Sequence, residues 1–189
     1  ALIDFSRVRG GIDHWRICRG LEGSFSSENA GLVSRPGTVA DPNGSRGDTE
    51  NLDHPDYVAL AYMDEVSAAN AAAHWEGRWQ SEIERSVFLD IHQIGVSPET
   101  ELIKARAAAV MGTPEESNYL HHPLVWRRRP QGDQDTTKVD LVLEPRIQES
   151  SLASVEGIPS EEATAAGLVM TTPAGKEISL YWNPEAGPE

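Results

Sequence analysis

Between Tyr57 and Ile94 the chain reads YVALAYMDEVSAANAAAHWEGRWQSEIERSVFLDIHQI, and whether this stretch is helix or strand decides the fold class. Val58, Tyr62, Val66, Ala69 and Ala73 recur at intervals of three or four, and Trp75, Trp79, Ile83, Val87, Ile91 and Ile94 continue the series. Apolar residues at that spacing share one face of an α-helix. Asp53 and Pro55 stand where a cap and a first-turn proline are favoured. The pattern predicts one long helix, or two joined near Gly77. A competing reading makes Tyr57 to Met63 a short strand, because Tyr and Val suit extended backbone.

Working outward, Ser97-Pro98-Glu99 carries a cap, a first-turn proline and an acid near the amide end, so a second helix is predicted to about Met111, with Leu102, Ala105, Ala109 and Val110 inward. Thr113-Pro114-Glu115-Glu116 repeats the signature with capping-box spacing and predicts a short helix ending by Pro123. Near the start, Phe5, Val8, Ile12, Trp15 and Ile17 fall at helical spacing. The Gly10-Gly11 pair confines that helix to about Ile12 to Arg19.

After the turn-rich Pro130 to Asp135 the period becomes two. Val139, Leu141 and Leu143 alternate with polar residues, as do Leu168 and Met170, and then Ile178 and Leu180 after the turn Pro173-Ala174-Gly175-Lys176. Three strands are predicted there, with a short helix opened by Ser160 over Pro159 to Ala166. Helices followed by a small, mostly antiparallel sheet make the expected class α+β, the sheet packing on the long helix. One domain is expected, in three segments: 1–56, a short helix and an extended polar arm; 57–124, helical; and 125–189, β-rich.

The arm is Gly20 to Pro55, with six glycines and three prolines among many Ser, Asn and Asp. Structureless segments of that length are unusual inside a compact domain. An isolated arm buries too little to offset its chain entropy, so a neighbouring surface is the expected support.

The chain has 189 residues and a net charge of -14, from 16 basic and 30 acidic side chains. Such a balance disfavours nucleic acid as the main partner, because phosphate affinity rests on Lys and Arg contacts. The distribution is uneven. Ala1 to Gly20 holds Arg7, Arg9, Arg16 and Arg19 against Asp4 and Asp13, whereas Val139 to Glu189 sets nine acids against Arg146 and Lys176. Opposed ends could steer one copy onto another, or simply reflect solvated faces. No apolar run approaches the ~18 residues of a membrane helix, and Ala1 to Val8 lacks the apolar core of a signal peptide. The expected location is the cytoplasm or an assembled particle.

Catalytic motifs are sparse. Cys18 is the single cysteine, which rules out an internal disulfide or a Cys-based zinc site. On a helix it would lie one turn from His14, a minimal nucleophile pair, although a buried apolar role suits a lone cysteine beside Trp15 and Ile17 better. On one helix His74 and His92 would lie about 27 Å apart, too far to share an ion. No phosphate loop, nucleophile elbow or dinucleotide turn occurs, and no metal or cofactor is expected. Trp75 and Trp79 read as a core stripe. The candidate interaction residues are Arg46 and Asp48 in the arm and the basic island Trp126, Arg127, Arg128 and Arg129, suited to pairing with the acidic tail within the chain or across an interface.

The functional expectation is a non-enzymatic structural or assembly subunit of a larger complex, such as a bacteriophage head, neck or tail. It would contact other protein subunits, copies of itself included, through the arm and the charged ends, with no sequence-specific nucleic acid or membrane partner. The alternative is a small α+β enzyme or ligand-binding domain with its pocket between the long helix and the sheet.

Overall fold

The computed structural model describes residues 2–5, 14–18, 20–21, 23–34, 63–108, 120–132, 135, 137–158 and 166–182. Among them the chain is all-β, with no helix, which overturns the α+β expectation. In chain order the strands are β1 (Leu2–Phe5), β2 (His14–Cys18), β3 (Gly23–Ser26), β4 (Val33–Ser34), β5 (Met63–Asn70), β6 (Trp75–Ser81) and β7 (Val87–Val96). There follow β8 (Glu101–Ala108), β9 (Leu120–His121), β10 (Leu124–Arg128), β11 (Val139–Ile147), β12 (Ser154–Ile158), β13 (Ala166–Thr171) and β14 (Glu177–Trp182).

They form three antiparallel sheets. The first runs β1-β2-β10-β8-β5-β4 with β9 against β8, the second β11-β7-β6-β3, and the third β12-β13-β14. Cys18, Leu102, Leu124 and Trp126 from the first sheet meet Phe25, Trp75, Trp79, Ile91 and Val139 from the second in one buried cluster. The core therefore lies between two stacked sheets, as in a sandwich.

The long helix is replaced by β5, β6 and β7, and the reason is visible in β6. Trp75, Gly77 and Trp79 are buried while Glu76 and Arg78 are exposed, an alternation of period two. An interval of four residues is two strand periods and also close to one helical turn, so Trp75 and Trp79 share a face in either conformation. They are core residues, as the sequence suggests. Phe25 packs across them, with ring centroids 6.4 Å from Trp75 and 5.1 Å from Trp79. Gly77 makes this possible: a Cβ there would sit 2.5 Å from Phe25 Cζ. A Gly77→Val variant is expected to lose about 1 to 3 kcal/mol through overpacking, checked by urea denaturation.

The helix predicted from Ser97 is strand β8 preceded by a turn. Ser97 Oγ accepts the backbone N–H of Lys138 at 2.8 Å, and the Thr100 hydroxyl donates back to Ser97 O at 2.7 Å. Ser, Pro and acidic residues favour turns for the same local reasons that they favour caps. The N-terminal helix is likewise β2, in which four positions span about 13 Å, so His14 and Cys18 are not juxtaposed. Cys18 is buried in the core, and burial pushes its thiol pKa up.

The predicted C-terminal strands correspond to β11, β13 and β14, but they do not form one sheet, and among the described residues there is no long helix for them to cover. β11 pairs with β7, whereas β13 lies between β12 and β14. Of the arm, β3 and β4 belong to the second and first sheets. Its remainder beyond residue 34 lies outside the described residues, as do the bulk of the predicted helix at 113–123, the helix at 159–166 apart from Ala166, and all of the 57–63 alternative except Met63.

Candidate functional site

Alternation along β6, β7 and β11 sends one set of side chains into the core and the other onto the outer face of the second sheet. On that outer face the register sets Arg78 opposite Asp90, Asp90 opposite Glu144, and Glu76 opposite His92. Asp90 is buried and accepts from Arg78 Nε at 2.6 Å, Arg78 Nη2 at 3.0 Å and Arg146 Nε at 2.7 Å. Both guanidinium groups lie against the ring of Phe88, Arg146 at 4.3 Å and Arg78 at 5.4 Å from its centroid. Burial by itself would raise the Asp90 pKa, but the hydrogen bonds and charges of the two arginines outweigh it and hold the carboxyl below its ordinary range.

Beside this network Glu144 is buried under the segment Ser150–Ala153. Its Oε1 accepts from the Ser151 backbone N–H at 2.6 Å, the Ser151 hydroxyl at 2.7 Å and the Ser150 hydroxyl at 3.0 Å. These bonds outweigh the desolvation that would raise its pKa, so it too is held low. His92 bridges the carboxylates, with Nδ1 3.3 Å from Glu76 Oε1 and Nε2 3.7 Å from Glu144 Oε2. The hairpin of β6 and β7 thus brings His92 opposite the second residue after His74, and the 27 Å separation expected of a helix does not arise.

Of these groups, Glu76, Arg78, Asp90, His92 and Ser150 line a pocket of 510 Å³ together with Ser26, Ser27, Glu28 and Asn29. The nearby hydroxyls donate to oxygens of the protein: Ser27 to Glu76 O, and Ser150 to Glu144 and Leu152 O. The arrangement clasps the segment leading into β12 onto the outer face of the second sheet. Among the described residues no group of three His, Cys, Asp or Glu side chains is placed to hold a metal ion, and no helix is long and apolar enough to cross a membrane.

The second feature lies at the end of the chain's last hairpin. Register places Val155, Met170 and Ile178 in one row across the third sheet and Gly157, Leu168 and Leu180 in the next, all on one face with Trp182. At its β12 end this face presses on β7, where a Cβ on Gly157 would lie 2.7 Å from Ile94 O. Nearby, an apolar groove of 280 Å³ runs between Ile94, Val139 and Leu141 of the second sheet and Leu168, Leu180 and Trp182 of the third. Cover decreases toward β14. There Ile178 is 38% exposed, Leu180 51%, Tyr181 76% and Trp182 61%. Strand β14 pairs only with β13 among the described residues.

The chain matches no family model and no curated protein.

Arg46 and Asp48 lie outside the described residues. Trp126 is in the core, stacked on Trp75 at 6.3 Å and donating through Nε1 to Gln93 Oε1 at 2.5 Å. Arg127 pairs with Glu101 at 2.5 Å, and Arg128 with Asp135 at 2.8 Å and with Pro98 O at 2.9 Å. Arg129 is exposed. These pairs form within the chain, but with residues preceding the acidic C-terminal segment. What the sequence reading missed is Asp90, Glu144, Tyr181 and Trp182. The alternation of Ile178 and Leu180 marked the strand; its edge, unpaired among the described residues, left no mark.

Proposed function

We propose that this chain is a non-enzymatic assembly subunit of a larger protein complex, of the kind that builds a bacteriophage head, neck or tail, and that it docks on neighbouring protein subunits along β14. The single observation that supports this reading is the exposure of all six residues of β14, four of them large and apolar, on a strand whose outer edge is unpaired among the described residues. Open edges bearing apolar side chains are templates for strand addition, and folded proteins ordinarily shorten, charge or cover them. A contiguous apolar patch on a chain of net charge -14 is likewise characteristic of a contact surface. The polar pocket supports chemistry less well, because Asp90 is taken up by Arg78 and Arg146, and the Ser27 and Ser150 hydroxyls donate to oxygens of the protein.

Oxidative footprinting read by mass spectrometry tests the reading. Tyr181 and Trp182 are expected to label readily in the dilute isolated chain and to be protected in the complex recovered from its native source. Equal labelling in both would remove β14 as the contact.

A further inference from the structure

Resting on the reading of β14 as a docking edge, we infer that its occupant is a second copy of this chain, added antiparallel about a two-fold axis so that two three-stranded sheets become one of six.

The backbone pattern supplies the first ground. Antiparallel ladders alternate between residues that exchange hydrogen bonds with the partner and residues whose N–H and C=O point away from it. The Thr172 N–H donates to Lys176 O at 2.9 Å, so Thr172 and Lys176 form a bonded pair. Ile178, Leu180 and Trp182 are in phase with it and aim at β13. Glu177, Ser179 and Tyr181 aim their backbone groups outward. The same alternation on the far side of β13 is seen where Thr171 O accepts from the Ala153 N–H.

Symmetry supplies the second. A two-fold axis relating antiparallel strands stands perpendicular to the sheet and keeps each face on its own side, so even-numbered residues must oppose even-numbered ones. Centred on Ser179, the pairing sets Ser179 against its counterpart, Glu177 against Tyr181, and Ile178 against Leu180. All three outward-facing residues then find partners within the described strand. The apolar row of Ile178, Leu180 and Trp182 runs continuously across both copies, with no like charges directly opposed, an arrangement that cross-strand energetics favours.

Area supplies the third. At roughly 200 Å² per aromatic side chain, the exposed fractions of Tyr181 and Trp182 come to about 270 Å², and Ile178 and Leu180 bring a copy to roughly 400 Å². Using the same patch twice gives up to roughly 800 Å² before the backbone is counted, below the ~1,200 Å² of a stable specific interface and in the range of weak, transient association. The expected dimer is therefore weak, and because each copy carries -14, added salt should tighten it by screening repulsion.

The test is sedimentation equilibrium of the full chain from submicromolar to high micromolar concentration, with amide hydrogen exchange in the same samples. Wild type is expected to dimerise, more tightly at high salt, with the amides of Ser179 and Tyr181 protected only in the dimer. Ser179→Pro removes an N–H that β13 does not use, a position where an edge strand tolerates proline. It should weaken the dimer by about tenfold or more while leaving the circular dichroism spectrum and the monomer melting temperature unchanged. Leu180→Asp, which places like charges near the axis, should act in the same direction.

A dimer indifferent to both substitutions would overturn the inference. A monomer at all concentrations whose β14 amides exchange fast, and are slowed by an added Thr-Val repeat peptide, would also overturn it while leaving β14 as a docking edge for another protein. A monomer whose β14 amides are already slow would sink both readings, since the chain would then cover its own edge.

Discussion

Replacing Asp90 by asparagine is expected to cost the fold about 3 to 5 kcal/mol, the usual penalty for removing one partner of a buried ion pair. The geometry places this substitution at the upper end of single-residue effects. The Arg146 side chain is only 7% exposed and takes Asp90 at 2.7 Å, so without the carboxylate its guanidinium becomes an uncompensated charge against Phe88. Arg78 is about half exposed and can turn to water, so its loss matters less. Urea denaturation of D90N, R146M and the double variant separates the contributions. The double variant is expected to regain most of the loss, because charge and partner leave together. Equal and additive losses would show that the pair is not coupled.

The same network sets the response to acid. Asp90 and Glu144 are both held below their ordinary pKa in the folded chain. The stability they contribute is thus fully present above the unfolded values of about 3.9 and 4.3, and is lost as pH falls through the lower folded values. The urea midpoint is expected to be independent of pH near neutrality as far as these two groups are concerned, where their contribution is fully present, and to decline below about pH 4, with D90N showing a shallower decline. The segment Ser150–Ala153 should loosen first, since its clasp is the Glu144 carboxylate.

Trp126→Ala is expected to destabilise by about 3 to 5 kcal/mol through the cavity it leaves, with a further cost of roughly 1 to 3 kcal/mol for the orphaned Gln93 side chain. Gln93 is itself buried and donates through Nε2 to Ala72 O, so losing the indole N–H strands its carbonyl oxygen between the sheets. Trp126→Phe keeps much of the stacking on Trp75 and isolates the hydrogen bond. A docking role for Trp126 would give the reverse outcome: weakened assembly with an unchanged denaturation midpoint.

Much of what misled the sequence reading is contained in one interval. Trp75, Trp79, Ile83, Val87 and Ile91 recur at strict steps of four. A helix turns about 100° per residue, so each step of four drifts about 40° and the series would wander about 160° around the helix by Ile91. A true helical stripe mixes threes and fours. A strand holds multiples of two on one face indefinitely, but the hairpin turn between β6 and β7 takes Ile83, which is exposed, out of any stripe. The regularity was available as evidence for β structure, and the alanines around it drew the assignment toward helix. The signature at Ser97 failed differently: cap residues and turn residues share one local chemistry, and nothing local separates them.

The basic island shows the limit of charge as a guide. Trp126-Arg127-Arg128-Arg129 reads as exposed because arginines seldom bury. Strand alternation nevertheless sends Trp126 and Arg128 to the inner side, where Asp135 and Pro98 O receive the Arg128 guanidinium.

From the residues by themselves one can derive the acidic balance, the strands at β11, β13 and β14, the tryptophan pair at β6 as core and the buried thiol at Cys18. Each follows from composition or from a period measured over a few neighbours. Tertiary structure decided which strands pair, that Asp90 sits between two arginines drawn from β6 and β11, and that β14 has an open edge among the described residues. Those outcomes depend on contacts between residues far apart in the chain, and alternation along one strand specifies which side chains share a face without specifying what that face will meet.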